Sequence, residues 1–284
     1  MPSFNFHYTP ENLAVGDAGT WVSSTDGDTP TIQLPIRMLG IDSPEVHFGG
    51  VTEKNPGKFD EAMQGFLSKE GKNLPSGLKK YLRKRLLSKP STRQIQAGRK
   101  AFDHFQEVVK QRLDRGLGKN GKPLNPRKLF LMAGNDVFDM NGRMLAYVAP
   151  SYTKAERESI APGNRPTFNL QMVQDGWAAS LIIYPNIPKP ADLTLVQKAV
   201  KNARTHHKGM WADKSKTLLP YEFRWIVKMI QGQTMEKALS RYCGDISTAK
   251  LYKPEDYYRV LPENRIFFFK EHAGKALEMG LEMQ

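Results

Sequence analysis

Two short stretches of this chain carry residue types that could act on one substrate. Asp26-Gly27-Asp28-Thr29 and Arg37-Met38-Leu39-Gly40-Ile41-Asp42-Ser43-Pro44-Glu45 gather four carboxylates and one arginine within twenty residues. A third stretch, Asn141-Gly142-Arg143, supplies a second arginine. Carboxylates this dense repel one another unless a cation sits among them. Arginines beside such a cation suit a phosphate, because the planar guanidinium matches its oxygens in pairs. The chemistry indicated is metal-assisted cleavage of a phosphodiester.

The elements that must position these groups can be read from their spacing. Asp26 and Asp28 are two apart, so an extended strand projects both from one face, and Gly27 between them leaves room for a second backbone. Arg37 and Asp42 are five apart and would face opposite sides of a straight strand. A shared site therefore requires a bend, for which Gly40 is the obvious place. Pro44 has no N–H to continue a ladder, so the strand stops there and the Ser43 carbonyl is free to act as a hard oxygen ligand. Taken singly, each piece has a plainer reading: Asp-Gly as a turn, Ser43 as a helix cap, Arg143 as the exit of a hairpin.

In order and at these spacings, the pieces resemble the staphylococcal (micrococcal) nuclease family. The resemblance continues through Gly142-Arg143-Met144-Leu145-Ala146-Tyr147-Val148, Asn169-Leu170-Gln171-Met172-Val173-Gln174-Asp175-Gly176-Trp177-Ala178 and Tyr184-Pro185-Asn186, and ends on a helix leading to Trp211. It implies that Asp28, Asp42 and the Ser43 carbonyl hold Ca2+, with Asp26 and Glu45 reaching it through water. Oxygen-only ligands suit Ca2+ rather than Zn2+. It further implies that Glu45 orients or deprotonates the attacking water, that Arg37 and Arg143 clamp the phosphate, and that cleavage leaves a 3′-phosphate. The expected activity is Ca2+-dependent hydrolysis of DNA, with RNA an open second substrate and little sequence preference. The alternative is a non-catalytic module of the same shape that binds nucleic acid or protein. The intact acid and arginine set favours the enzyme.

The sequence departs from the family pattern around the substrate. The Asp28–Arg37 interval is short and contains Pro30 and Pro35. Met140 and Asn141 stand where the family has a lysine and a tyrosine that contact nucleotide phosphate, and Ile182 stands for a second tyrosine near Tyr184. Tyr184 is retained as a substrate-binding candidate. A basic amphipathic segment, Leu78-Lys79-Lys80-Tyr81-Leu82-Arg83-Lys84-Arg85-Leu86, offers Lys79, Lys80, Arg83, Lys84 and Arg85 as further candidates, or else a solvated face docked through its leucines.

Composition agrees with a polyanionic partner. The formal net charge is +13, which draws the chain to phosphates in a salt-dependent way. No apolar run is long enough to span a membrane, so no membrane partner is expected. The N-terminal MPSFNFHYTP has neither a charged n-region nor an apolar h-region. The compartment stays open: cytoplasmic by default, secreted if a signal was removed. The single cysteine, Cys243, rules out an internal disulfide and reads as a partly buried thiol. Adjacent His206 and His207 diverge by about 100° on a helix, a poor chelating pair. His47 reads as a surface residue that could reach substrate.

The organisation expected is α+β. An OB-type five-stranded barrel with packed helices is the family core, and such barrels commonly bind nucleic-acid strands. An irregular lead-in with one early strand covers residues 1 to 20, and strands follow near 20–25, 31–42, 128–133 and 144–148. Helices are expected from Thr92 to Arg115, near Leu170 to Gly176 and from Ala191 to Thr205. Insertions fall at about 47–91, which contains the basic helix, and 150–168, read as a surface loop. Residues 1–215 form the nuclease-like domain and 216–284 a C-terminal extension, with a helix over Leu218 to Ile230. The last part is similar to a small Ada-like zinc module, but Asp256 and the Gly280–Gln284 end stand in place of its cysteines. It is therefore expected to be a metal-free docking element, open to a protein partner.

Overall fold

Short strands and punctuating prolines divide the N-terminal part of the chain into pieces that join different sheets. The computed structural model describes residues 19–118, 120–213 and 215–284, so the lead-in expected over residues 1 to 20 lies almost wholly outside the described residues. Strands β1 (Thr20–Ser24) and β2 (Pro30–Gln33) pair with each other and with no other described strand. The single strand expected near 31–42 is broken twice. Pro35 separates β2 from β3 (Ile36–Met38), and Gly40, at φ +73°, turns the chain into β4 (Gly40–Asp42). That φ is one a side chain with a Cβ rarely adopts.

The first insertion contains helices α1 (Asp60–Gly65) and α2 (Ser76–Arg83). Leu78, Leu82 and Leu86 are buried, as their four-residue spacing requires. Helix α3 spans Pro90–Leu113, starting two residues before the expected Thr92. Proline suits the first helical turn, where its missing N–H is not needed. Thr92 does not cap this helix; its backbone N–H donates to Asp60 Oδ1 at 3.0 Å, fastening α3 to α1. The hairpin strands β5 (Leu129–Phe138) and β6 (Met144–Pro150) follow. The second insertion is not only loop: α4 (Lys154–Ser159) is capped by Thr153 and Glu156, and Arg127 pairs with Glu156 at 2.8 Å. Next come α5 (Phe168–Gln174), β7 (Ala179–Ile183) and α6 (Pro190–Thr205).

Beyond these lie α7 (Pro220–Ile230), α8 (Met235–Ala238), β8 (Arg241–Asp245), β9 (Lys250–Tyr252), β10 (Arg265–Phe269), α9 (Ala273–Glu278) and β11 (Glu282–Met283). The described strands form a two-stranded sheet, a three-stranded sheet β3-β6-β5, and a six-stranded sheet β11-β9-β8-β10-β7-β4. The fold is α+β, but among the described residues the expected five-stranded barrel does not close. The side of β7 away from β4 is taken by β10, paired parallel with Ile182 opposite Ile266, so the sheet continues into the extension instead of curling on itself. No described helix is long and apolar enough to cross a membrane.

The first insertion and the extension share one core. Phe66 packs edge-on to Trp225 with ring centroids 5.9 Å apart, and Phe48 to Phe223 at 6.3 Å. Between them runs a buried polar network. Glu222 accepts from Tyr81 Oη at 2.7 Å and from the Leu219 N–H at 2.9 Å, while Arg265 donates to Tyr221 Oη at 2.6 Å and to the Val260 carbonyl at 2.9 Å. Arg265 and Glu222 lie 3.7 Å apart and are both buried. Cys243 is fully buried, not partly, and burial pushes its thiol up to about 12. Removing one partner of the Arg265–Glu222 pair leaves the other charge buried and uncompensated. Glu222→Ala should therefore lower stability by about 3–5 kcal/mol, measured by urea unfolding.

Candidate active site

The site assembles where β3 gives way to β4. Asp42 ends β4 with its side chain only 1% exposed, and both of its oxygens are used. Oδ1 accepts from Arg37 Nη2 at 3.1 Å, across the bend that Gly40 makes possible. Oδ2 accepts from Arg224 Nη2 at 2.8 Å, and the other terminal nitrogen of Arg224 pairs with Glu45. The guanidinium of α7 thus bridges two of the carboxylates that the motif set aside for a cation. Burial works against the Arg224 charge, but Asp42, and then Glu45, outweigh it and hold its pKa above the ordinary arginine value.

Three close contacts fix this geometry. Buried Asn169 accepts from the Val148 N–H at 2.9 Å and donates to the carbonyls of Leu39 at 2.9 Å and Ala146 at 3.2 Å, tying α5, β6 and the bend together. Gly98 brings α3 directly against the backbone of Pro44 and Glu45. A Cβ there would collide with the Glu45 carbonyl and lie 2.9 Å from that of Pro44. The third contact is the Glu222 network, which sets the rotation of α7. Glu222 and Arg224 point about 200° apart on the helix, so anchoring one in the core aims the other at Asp42.

The remaining expected site residues fall in different places. Arg37 pairs with Leu145 in the parallel β3–β6 register, and Arg143 lies two residues before Leu145, near Arg37. Its guanidinium is held by Asp139, with Nε 2.8 Å from Oδ2. Burial raises the Asp139 pKa, but the Arg143 contacts prevail and lower it. Asp26 and Asp28 sit exposed at the tip of the β1–β2 hairpin, where a Thr29 hydrogen bond, and then one with Asp28, hold the Asp26 carboxyl below its ordinary value. The structure does not bring these two acids to Asp42. Ser43 is exposed beside it.

Tyr184 stacks on Phe268 with centroids 5.8 Å apart, on the sheet face opposite Asp42, as the β4–β7–β10 register requires. Lys80 and Arg83 on α2, and Lys84 just past its end, are exposed. Lys79 donates to the Lys72 carbonyl, and Arg85 donates to that of Tyr81 at 2.7 Å and lies over its ring. Since Tyr81 meets α7 at Glu222, this basic helix lies against the side of α7 turned away from Asp42. His47 is exposed, and His206 bonds the Asn202 carbonyl.

As arranged, these residues do not fit a divalent cation. Asp42 and Glu45 already hold Arg224, and among the described residues no group of three or more His, Cys, Asp or Glu lies close enough to hold a metal ion. Sequence reasoning missed Arg224. The available signal was a charge in the otherwise apolar run Phe223-Arg224-Trp225-Ile226-Val227, which demands a buried partner.

An α+β frame with one buried acid, one half-buried acid and guanidinium groups at a kinked strand defines a class of site suited to phosphate esters. The model of the staphylococcal nuclease homologue family matches residues 35–213, more than half of the chain, and the chain belongs to that family. It is 28% identical over 177 residues to endonuclease YhcR of Bacillus subtilis (strain 168), a match covering 62% of this chain and 12% of that relative.

Substitution tests the packing around Asp42. Gly98→Ala gains helix propensity of about 1 kcal/mol but must push the Glu45 backbone away, so the net effect should be a loss of about 1–3 kcal/mol by thermal or urea unfolding. Arg224→Gln should cost as much as about 3 kcal/mol, because Asp42 keeps only Arg37. The same change frees two carboxylates. Added Ca2+ should then raise the Tm of Arg224→Gln while leaving that of the wild-type chain nearly unchanged, and equal shifts in both would contradict this picture.

Proposed function

We propose that the chain is a nuclease, hydrolysing phosphodiester bonds of DNA or RNA with little sequence preference. The observation that carries this reading is the hydrogen-bonded group of Arg37 and Asp42 at one bend, joined to Glu45 through Arg224, in a chain of the staphylococcal nuclease homologue family. The +13 net charge supports a polyanionic substrate. The chain spans 12% of the length of its Bacillus relative, and the activity in that protein's name supports the reading by likeness alone.

In this proposal Arg37 donates to the non-bridging oxygens of the scissile phosphate, and Arg143 joins it by exchanging Asp139 for the phosphate. Glu45 accepts a proton from a water as the water oxygen bonds to phosphorus. The bond from phosphorus to the 5′ oxygen breaks, and that oxygen leaves as a hydroxyl after taking a proton from solvent. Asp42, buried between two guanidinium groups, holds Arg37 in position. The Ca2+ that the family resemblance suggests takes no part in these steps, because Arg224 occupies both Asp42, expected to hold it directly, and Glu45, expected to reach it through water.

A second reading, a binding module without catalysis, is favoured by the same contact, which already neutralises the proposed base. Digestion of plasmid and of single-stranded RNA, with Ca2+, with Mg2+ and with chelator, separates the two readings. Cleavage by the wild-type chain should fall about 10²–10⁴-fold in Glu45→Gln and about 10²–10³-fold in Arg37→Ala, with binding largely kept. Salt-sensitive binding without cleavage under all three conditions would leave the binding module as the function.

A further inference from the structure

The acids at the bend are outnumbered. Arg224 and Lys228 are four apart on α7 and so lie on one face of the helix, one turn from each other. The strand register adds another cation. Asp42 pairs with Ala179, Ile183 with Phe267, and Phe269 with Arg241, which places Asp42 and Arg241 on the same face of the six-stranded sheet. That is the face α7 covers, since Ala179, Leu181, Phe267 and Cys243 share a core with Trp225 and Val227.

Arg37 and Arg224 consume the Asp42 and Glu45 charges between them. Among the described residues, Lys228 and Arg241 are left with no carboxylate and no side-chain hydrogen bond. Arg241 instead lies over the rings of Phe267 at 5.9 Å and Phe269 at 5.8 Å, half-buried. Burial, and then the Arg224 charge, press the Arg241 pKa below the arginine value, with Asp42 pulling the other way. Burial, and then Arg241 and Arg224, do the same to Lys228. Four cations facing two acids in partly buried surroundings are a site short of an anion.

We propose that Lys228 and Arg241, with Arg224, form a phosphate-binding subsite supplied by residues beyond 216, which holds the backbone phosphate next to the scissile one on a single nucleic-acid strand. This rests on the nuclease reading above and extends it. A guanidinium whose neighbours are aromatic rings and not carboxylates keeps its N–H donors for a phosphate, and a lysine one helical turn from Arg224 adds a second donor.

The test measures binding of a phosphorothioate-linked single-stranded oligonucleotide, which resists hydrolysis, between about 50 and 200 mM salt. In the double variant Lys228→Gln/Arg241→Gln, affinity should fall roughly tenfold at low salt. The slope of log K against log salt should become shallower by about 0.7, the value for one phosphate contact on a single strand. Arg241→Lys keeps the charge and should retain most of the wild-type slope. A double variant with unchanged slope, or an Arg241→Lys slope as shallow as that of the double variant, would overturn the subsite. In either case a wild-type chain that still cleaves leaves the nuclease reading standing. A wild-type chain that neither binds nor cleaves would sink both.

Discussion

The structure turns on one buried carboxylate. Asp42 is almost wholly removed from water, and an isolated charge in that position would be costly, so both of its oxygens must find cationic partners. One partner, Arg37, is local and reaches it only because the chain bends at Gly40. The other, Arg224, is 182 residues away in sequence and must be carried in by a helix. The site is therefore complete only when the first insertion, the sheet and the residues beyond 216 have all assembled around α7.

A series of close contacts secures that assembly. Asn169 holds the bend against β6, and Gly98 sets the depth at which α3 meets the Glu45 backbone. Glu222, bonded to Tyr81 and to the N-terminal turn of its own helix, fixes the rotation of α7. Each contact is a polar group satisfied in the interior or a backbone approach that excludes a single carbon, and neither tolerates small displacements. Proper aim at the surface is thus a product of packing in the core.

What was legible in the sequence is what short-range physics controls. The bend at Gly40 followed from the five-residue spacing of Arg37 and Asp42, and the buried stripe of α2 from Leu78, Leu82 and Leu86. The start of α3 was misjudged by two residues because Thr92 resembled a cap, while its hydroxyl and amide serve Asp60 in another helix. The sheet was harder to read. No local pattern announces that β10 pairs parallel to β7, and that pairing keeps the strands from closing as expected. Arg241 was hidden for the same reason, and Arg224 showed only as a charge in an apolar run: the partners of both depend on which strand and helix lie beside them. Asp26 and Asp28 show the converse. The resemblance implied a role for them at the bend, but a hairpin that pairs, among the described residues, only with itself leaves them in solvent.

The pairing of β10 with β7 also separates family likeness from folding. The family match ends at residue 213, yet a chain cut there would expose one whole side of β7, a strand of Ala179, Leu181, Ile182 and Ile183 with no charge to guard it. Such an edge is a template for pairing with other chains. Phe66 would lose its edge-on contact with Trp225 of α7 in the same stroke. The residues past the match thus act as the protein's own safeguard against aggregation.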